Sequence, residues 1–170
     1  RAALLDTPRF IERASDLYRY NNFICDSGGS ICEVVDPWDT ADPILSTLSD
    51  NLLMIWIAGS EDHTAELVRR FDLAPKPMCY QPEFLLTCWS EYQRETGVQP
   101  DKVNPDDFIR WTYARAMAHR QPRYAQMAKW GITLQANDVQ NLKTPQDFEA
   151  LVGDTLEHRA AAPRSNGGED

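Results

Sequence analysis

Five helix starts announce themselves by one device, a polar or capping residue followed directly by proline: Thr7-Pro8, Asp42-Pro43, Gln81-Pro82, Asn104-Pro105 and Thr144-Pro145. Proline suits the first helical position because the N–H it lacks would be unpaired there anyway, so each pair predicts a helix start. The last carries a capping box from Thr144 to Asp147. Phe148, Leu151, Val152, Thr155 and Leu156 then fall on one helical face. Ser60 predicts a sixth helix, with Glu61 and Asp62 in its first turn and Thr64, Leu67, Val68 and Phe71 as its apolar stripe.

Three apolar runs between these helices predict strands: Phe23 to Asp26, Leu52 to Ile57, and Gly131 to Gln135. The middle run is apolar throughout, the pattern of a strand buried on both faces. Strands alternating with helices imply right-handed crossovers, hence an α/β fold with a parallel sheet flanked by helices in three layers. Three strands make a thin sheet for a chain of this length, so a further strand, the central first one, is expected to be missing. Residues 1–159 are expected to form one α/β domain. An acidic loop covers residues 36 to 43, and the polar 160–170 segment is expected to be a disordered tail. No internal repeat or heptad pattern is present.

The composition narrows the function classes. The 170 residues are 42% hydrophobic and carry 26 acids against 17 bases, a formal net charge of −9. Such a balance disfavours an extended nucleic-acid surface, which needs clustered Lys and Arg, but leaves room for a small anion held by a few local cations. No apolar run approaches the roughly 20 residues that span a bilayer, and Arg1 to Asp6 do not read as a secretory signal. A cytoplasmic protein is expected. An opening Arg in place of Met suggests a portion of a longer protein. Cys25, Cys32, Cys79 and Cys88 lack zinc-type spacing and are expected to be free thiols in a reducing compartment.

Three constellations could carry chemistry. Asp26, at the end of a predicted strand, is followed by Ser27, Gly28, Gly29, Ser30 and Glu33. A carboxylate there could hold Mg²⁺, and the glycines would let backbone approach a phosphate, unless Asp26 merely caps a turn. Asp-Ser-Gly-Gly-Ser also has the form of a phosphodegron, which needs an exposed flexible segment. Second, the helix after Ser60 ends near Arg69 and Arg70, with Lys76 beyond. Guanidiniums there either complement the helix dipole or stabilise a transferring phosphoryl group. Third, Arg110, Trp111, Tyr113, Arg115, His119, Arg120, Arg123 and Tyr124 form the one basic–aromatic cluster, fit to clamp a base or phosphate or to pack as an ordinary helix face. Gly-x-Ser-x-Gly is absent, and no Ser-His-Asp order supports a serine hydrolase.

Phe23-Ile24-Cys25-Asp26 resembles the Walker B strand of P-loop NTPases. Leu52 to Ile57 with the helix bearing Arg69 and Arg70 resembles the next strand and lid-bearing helix of small nucleoside and nucleotide kinases. The strand from Gly131 and the helix from Thr144 resemble that fold's last strand and helix. The likeness spans roughly residues 20 to 158 and extends in texture to bacterial proteins described as ATPases. It implies Mg-ATP-dependent phosphoryl transfer or hydrolysis, with Asp26 as Mg²⁺ ligand and catalytic together with Arg69 and Arg70. Ser27, Gly28, Gly29, Ser30, Lys76, Arg120 and Arg123 would contact nucleotide and phosphate. The chain departs from that family in having no Gly-x-x-x-x-Gly-Lys-Ser/Thr loop, which the resemblance places upstream. The alternative is a non-catalytic α/β module that binds a protein partner, or a second copy, through exposed Trp38, Trp89, Trp111 and Trp130.

Overall fold

A computed structural model describes residues 1–161. Its elements run α1 (Ala2–Leu5), α2 (Thr7–Tyr18), a 3₁₀ turn (Gly29–Glu33), α3 (Pro43–Asn51), β1 (Ile55–Ala58), α4 (Glu61–Leu73), α5 (Pro82–Thr96) and a 3₁₀ turn (Pro100–Lys102). They continue with α6 (Pro105–Met127), a 3₁₀ turn (Ala128–Trp130), β2 (Ile132–Gln135), α7 (Ala136–Gln140) and α8 (Pro145–Ala161).

Local capping chemistry explains the helices. Asp42 Oδ1 accepts from the backbone N–H groups of Ile44 and Leu45, both at 2.9 Å, and so starts α3. Asn104 does the same for α6 through Asp106 N. Thr144 and Asp147 close a reciprocal box at the start of α8, each bonded to the other's backbone N–H. At α4 the N3 residue of the box is His63, whose Nδ1 accepts from Ser60 N while Ser60 Oγ accepts from His63 N. Such caps satisfy N–H groups that a helix start otherwise leaves unpaired.

The sheet overturns the three-layer α/β expectation. Among the described residues it has two strands, β1 and β2, paired in parallel with Ile55 opposite Ile132 and Ala58 opposite Gln135. Most of the described residues are helical instead, and their two strands do not make a three-layer, kinase-like parallel sheet. The predicted strand at Phe23 to Asp26 is irregular backbone with Ile24 91% exposed. A ladder needs a partner: with none alongside, these residues leave their backbone to water, and Asp26 turns its carboxylate back onto Gly28 N at 2.9 Å. Nor is the middle strand buried on both faces, since Ile57 is 49% exposed. At the far end, α8 carries residues 160 and 161 as helix; the rest of the predicted tail lies outside the described residues.

The core gathers Ile31, Cys32 and Val35 from the turn, Ile44, Leu45 and Leu48 from α3, and Met127 from the end of α6. Met54, Tyr124 and Trp130 pack against it. It therefore lies directly behind the Gly29–Glu33 turn and anchors it. Among the described residues no helix is long and apolar enough to cross a membrane.

Candidate functional site

Two adjoining clefts open in front of that turn. The smaller, about 370 Å³, is lined by Asp26, Ser27, Gly28 and Gly29 on one side and by Met54 to Ile57 on the other. The larger, about 810 Å³, is lined by Gly29 and Ser30, by Arg70 and Phe71 of α4, by Lys76 to Cys79, and by Tyr113, Arg120 and Tyr124 of α6. Gly29, Trp56, Ile57 and Tyr124 border both. Gly28 adopts φ +61°, a conformation glycine takes without steric cost. At Gly29 a Cβ would meet the Tyr124 hydroxyl at 2.6 Å, so that side chain would have to shift.

The structure divides the anticipated site residues into three sets. Asp26, Ser27, Gly28, Gly29, Ser30, Arg70 and Lys76 border the joined clefts. Asp26 reaches them from a turn, without a sheet strand beneath it. Arg69 instead points to solvent, 62% exposed, and forms a two-pronged pair with Glu66 at 2.7 and 2.8 Å. Glu66 also accepts from Arg70 Nε at 2.7 Å, so one carboxylate organises both guanidiniums. Hydrogen bonds from Arg69 and then Arg70 hold the Glu66 carboxyl down at about 2.

Arg120 and Arg123 form the third set. Arg120 is 2% exposed; its Nε donates to Glu33 Oε1 at 2.8 Å and its Nη2 to the Cys79 carbonyl at 3.0 Å. Burial opposes the Arg120 charge, but the hydrogen bond to Glu33 and the charge of Glu33 together more than offset this and hold the guanidinium above its ordinary value. Arg123 Nη2 donates to the carbonyls of Cys32 and Val35, both at 2.8 Å, while its Nε is buried without a partner. These donors, expected at a phosphate, are spent on the Glu33 carboxylate and the protein's own carbonyls.

Aromatic rings wall the larger cleft. Phe71 and Tyr113 stack with centroids 3.9 Å apart and planes 2° from parallel, and Trp56 tilts against Tyr124 at 6.3 Å. Burial raises the Tyr124 phenol and pushes Tyr80, behind the cleft, up to about 12. Burial likewise raises the thiol of Cys32, whereas Cys79 is exposed; Cys25 is half-buried and Cys88 buried, all four being free. Of the four tryptophans anticipated on the surface only Trp38 is exposed, at 54%. Trp89 and Trp111 pack in a cluster with Tyr92 and Phe108, and Trp130 packs on the core.

Sequence reasoning missed the aromatic wall and the pairing of Glu33. A signal was present: Glu33 is the lone charge in Ile31-Cys32-Glu33-Val34-Val35, and an acid in an apolar run needs a buried cation. Arg120 follows Ala116 and Met117 on the buried face of α6 and is that cation.

Arg70, Lys76 and Arg120 line the larger cleft; Glu66 pairs with Arg70 and Glu33 with Arg120, which leaves Lys76 as its cation without a carboxylate partner among the described residues. The first turn of α4 adds its dipole, with Gly59, His63 and Thr64 on the lining. Among the described residues no three His, Cys, Asp or Glu side chains gather as a metal cage. Asp26 offers an exposed carboxylate at the smaller cleft. That suits a Mg²⁺ carried in by phosphates, which takes one or two protein carboxylates and keeps several waters. Compared with known proteins, the chain matches no family model, no curated protein and no solved structure.

Proposed function

We propose that the joined clefts bind the Mg²⁺ complex of a nucleoside triphosphate, and that the chain contributes to phosphoryl transfer or ATP hydrolysis. The observation that carries this reading is the convergence of Asp26, the Gly28–Ser30 turn, Arg70 and Lys76 on one aromatic-walled recess. Gly28 and Gly29 let backbone approach a phosphate; Arg70 and Lys76 offset the charge that develops on a transferring phosphoryl group. Mg²⁺, when bound, neutralises phosphate charge, and Asp26 is the side chain placed to orient it. Trp56, Phe71, Tyr113 and Tyr124 exclude water and offer apolar surface to a base. No Gly-x-x-x-x-Gly-Lys-Ser/Thr loop occurs within this sequence, and the backbone offered to a phosphate is the Gly28–Ser30 turn.

Thermal unfolding with Mg-ADP and Mg-ATP tests the proposal. Ligand at 100 times Kd stabilises by about 2.7 kcal/mol. For a domain of this size that raises Tm by roughly 5–10 °C. Asp26→Ala is expected to lose the Mg²⁺-dependent part of the shift. No shift with either nucleotide, or equal shifts for both proteins, would sink it. The second reading is a non-catalytic interaction module. It draws on the exposed run Leu17, Tyr18, Tyr20 and Ile24, 62%, 64%, 64% and 91% accessible, in which the two tyrosines stack.

A further inference from the structure

We propose that Arg120 is the positioning residue of the larger cleft: paired with Glu33, it fixes the bank carrying Gly29 and Ser30 against the bank carrying Lys76 and Cys79. The inference rests on reading that cleft as a phosphate site, and it gives Arg120 no direct contact with ligand.

One buried ion pair holds both banks. Glu33 closes the 3₁₀ turn that begins at Gly29, and its Oε1 takes the Arg120 Nη2 at 2.7 Å as well as Nε. The other oxygen, Oε2, accepts from Gln81 N at 2.8 Å, and Arg120 Nη2 donates to the Cys79 carbonyl. Residues 33, 79 and 81 are thus tied through a single carboxylate–guanidinium pair whose side chains are 4% and 3% exposed. Neither bank has a regular element across this junction, so these bonds take the place of a ladder.

The same turn of α6 completes the grip. Arg120, Arg123 and Tyr124 share one helical face by their i, i+3, i+4 spacing. Arg123 holds the Cys32 and Val35 carbonyls, and the Tyr124 hydroxyl donates to the Gly29 carbonyl at 3.1 Å. α6 is therefore a rigid backing on which the glycine turn is mounted, while Phe71 against Tyr113 binds the same helix to α4. A cleft built this way presents backbone N–H groups and Lys76 at a set spacing, and its affinity depends on that spacing.

Arg120→Lys separates positioning from direct contact. Lysine keeps the charge and one bond to Glu33 but lacks the fork that reaches Glu33 and Cys79 together. Hydrogen exchange of the ligand-free full chain is expected to accelerate at least tenfold at residues 29–33 and 79–81, with α8 unchanged. Mg-ADP binding, measured well below Tm, is expected to weaken at least tenfold, because the two banks no longer keep their spacing. Wild-type protection at either bank would overturn the proposal. So would weakened binding with unchanged exchange at both banks, the signature of a guanidinium on the phosphate. If the lysine variant does not fold, the double substitution Glu33→Leu/Arg120→Met fills the site with apolar atoms and must show the same local exchange. Should wild-type protein bind no Mg-ADP, the nucleotide reading falls, and the exchange comparison alone decides whether Arg120 holds the banks.

Discussion

Gly131→Ala probes the junction that sets the two strands beside each other. A Cβ at Gly131 would lie 1.9 Å from the Met54 carbonyl oxygen and 2.6 Å from its carbon. These are backbone atoms of the neighbouring chain segment, which no rotamer change can move. To restore the 3.4 Å of ordinary contact, Met54 O must retreat by about 1.5 Å. That same oxygen accepts from Ile132 N at 2.9 Å, the bond that brings β2 alongside β1. Losing a buried backbone bond costs about 1–3 kcal/mol. Forcing extra volume into a packed junction costs about 1–3 kcal/mol more. The sum, about 2–6 kcal/mol, lowers Tm by roughly 5–20 °C. Urea unfolding with an unchanged m-value measures it. Gly153→Ala is the control: nothing lies within 4 Å of its Cβ position in α8, and alanine there is expected to stabilise by roughly 0.5–1 kcal/mol. A Gly131→Ala protein as stable as the wild type would refute the parallel register of Ile55 with Ile132.

Two further outcomes follow from buried and exposed charge. Arg120→Met alone leaves Glu33 buried and unpaired and is expected to cost about 3–5 kcal/mol, whereas the Glu33→Leu/Arg120→Met pair costs far less. A double-mutant cycle by urea unfolding measures this, and additive losses would contradict the pairing. Glu66 tests the helix surface: its folded value lies below its ordinary 4.5, so the stabilisation from Arg69 and Arg70 is complete above about 4.5. It is lost as pH falls toward about 2, which a carbon-detected titration of the Glu66 carboxyl resolves; a midpoint near 4.5 would show the fork absent.

How far the sequence discloses this protein depends on the range of each interaction. Helix starts are written in neighbouring residues, so Asp42-Pro43, Asn104-Pro105 and the Thr144–Asp147 box could be read directly and the structure contains each. Strands are different, because their existence depends on what lies beside them. Leu52 to Ile57 and Gly131 to Gln135 find each other across 77 residues and pair in the expected parallel sense. Phe23 to Asp26 has the same apolar texture and no partner, and it stays irregular. The lining of the recess was partly legible, since the glycine turn, Arg70 and Lys76 were singled out in the sequence and all border the joined clefts. The roles of Arg120 and Arg123 were not. Their partners lie 41 to 91 residues away, and only the fold shows that a basic helix face is turned inward onto a carboxylate and backbone carbonyls.

The most direct test of the recess is a two-dimensional amide NMR titration of the full chain with Mg-ADP. The account predicts saturable shifts at Gly28, Gly29, Ser30 and Lys76, weakened by Lys76→Gln and by Asp26→Ala. Shifts confined to the Leu17–Ile24 surface, or none anywhere at millimolar nucleotide, would contradict it.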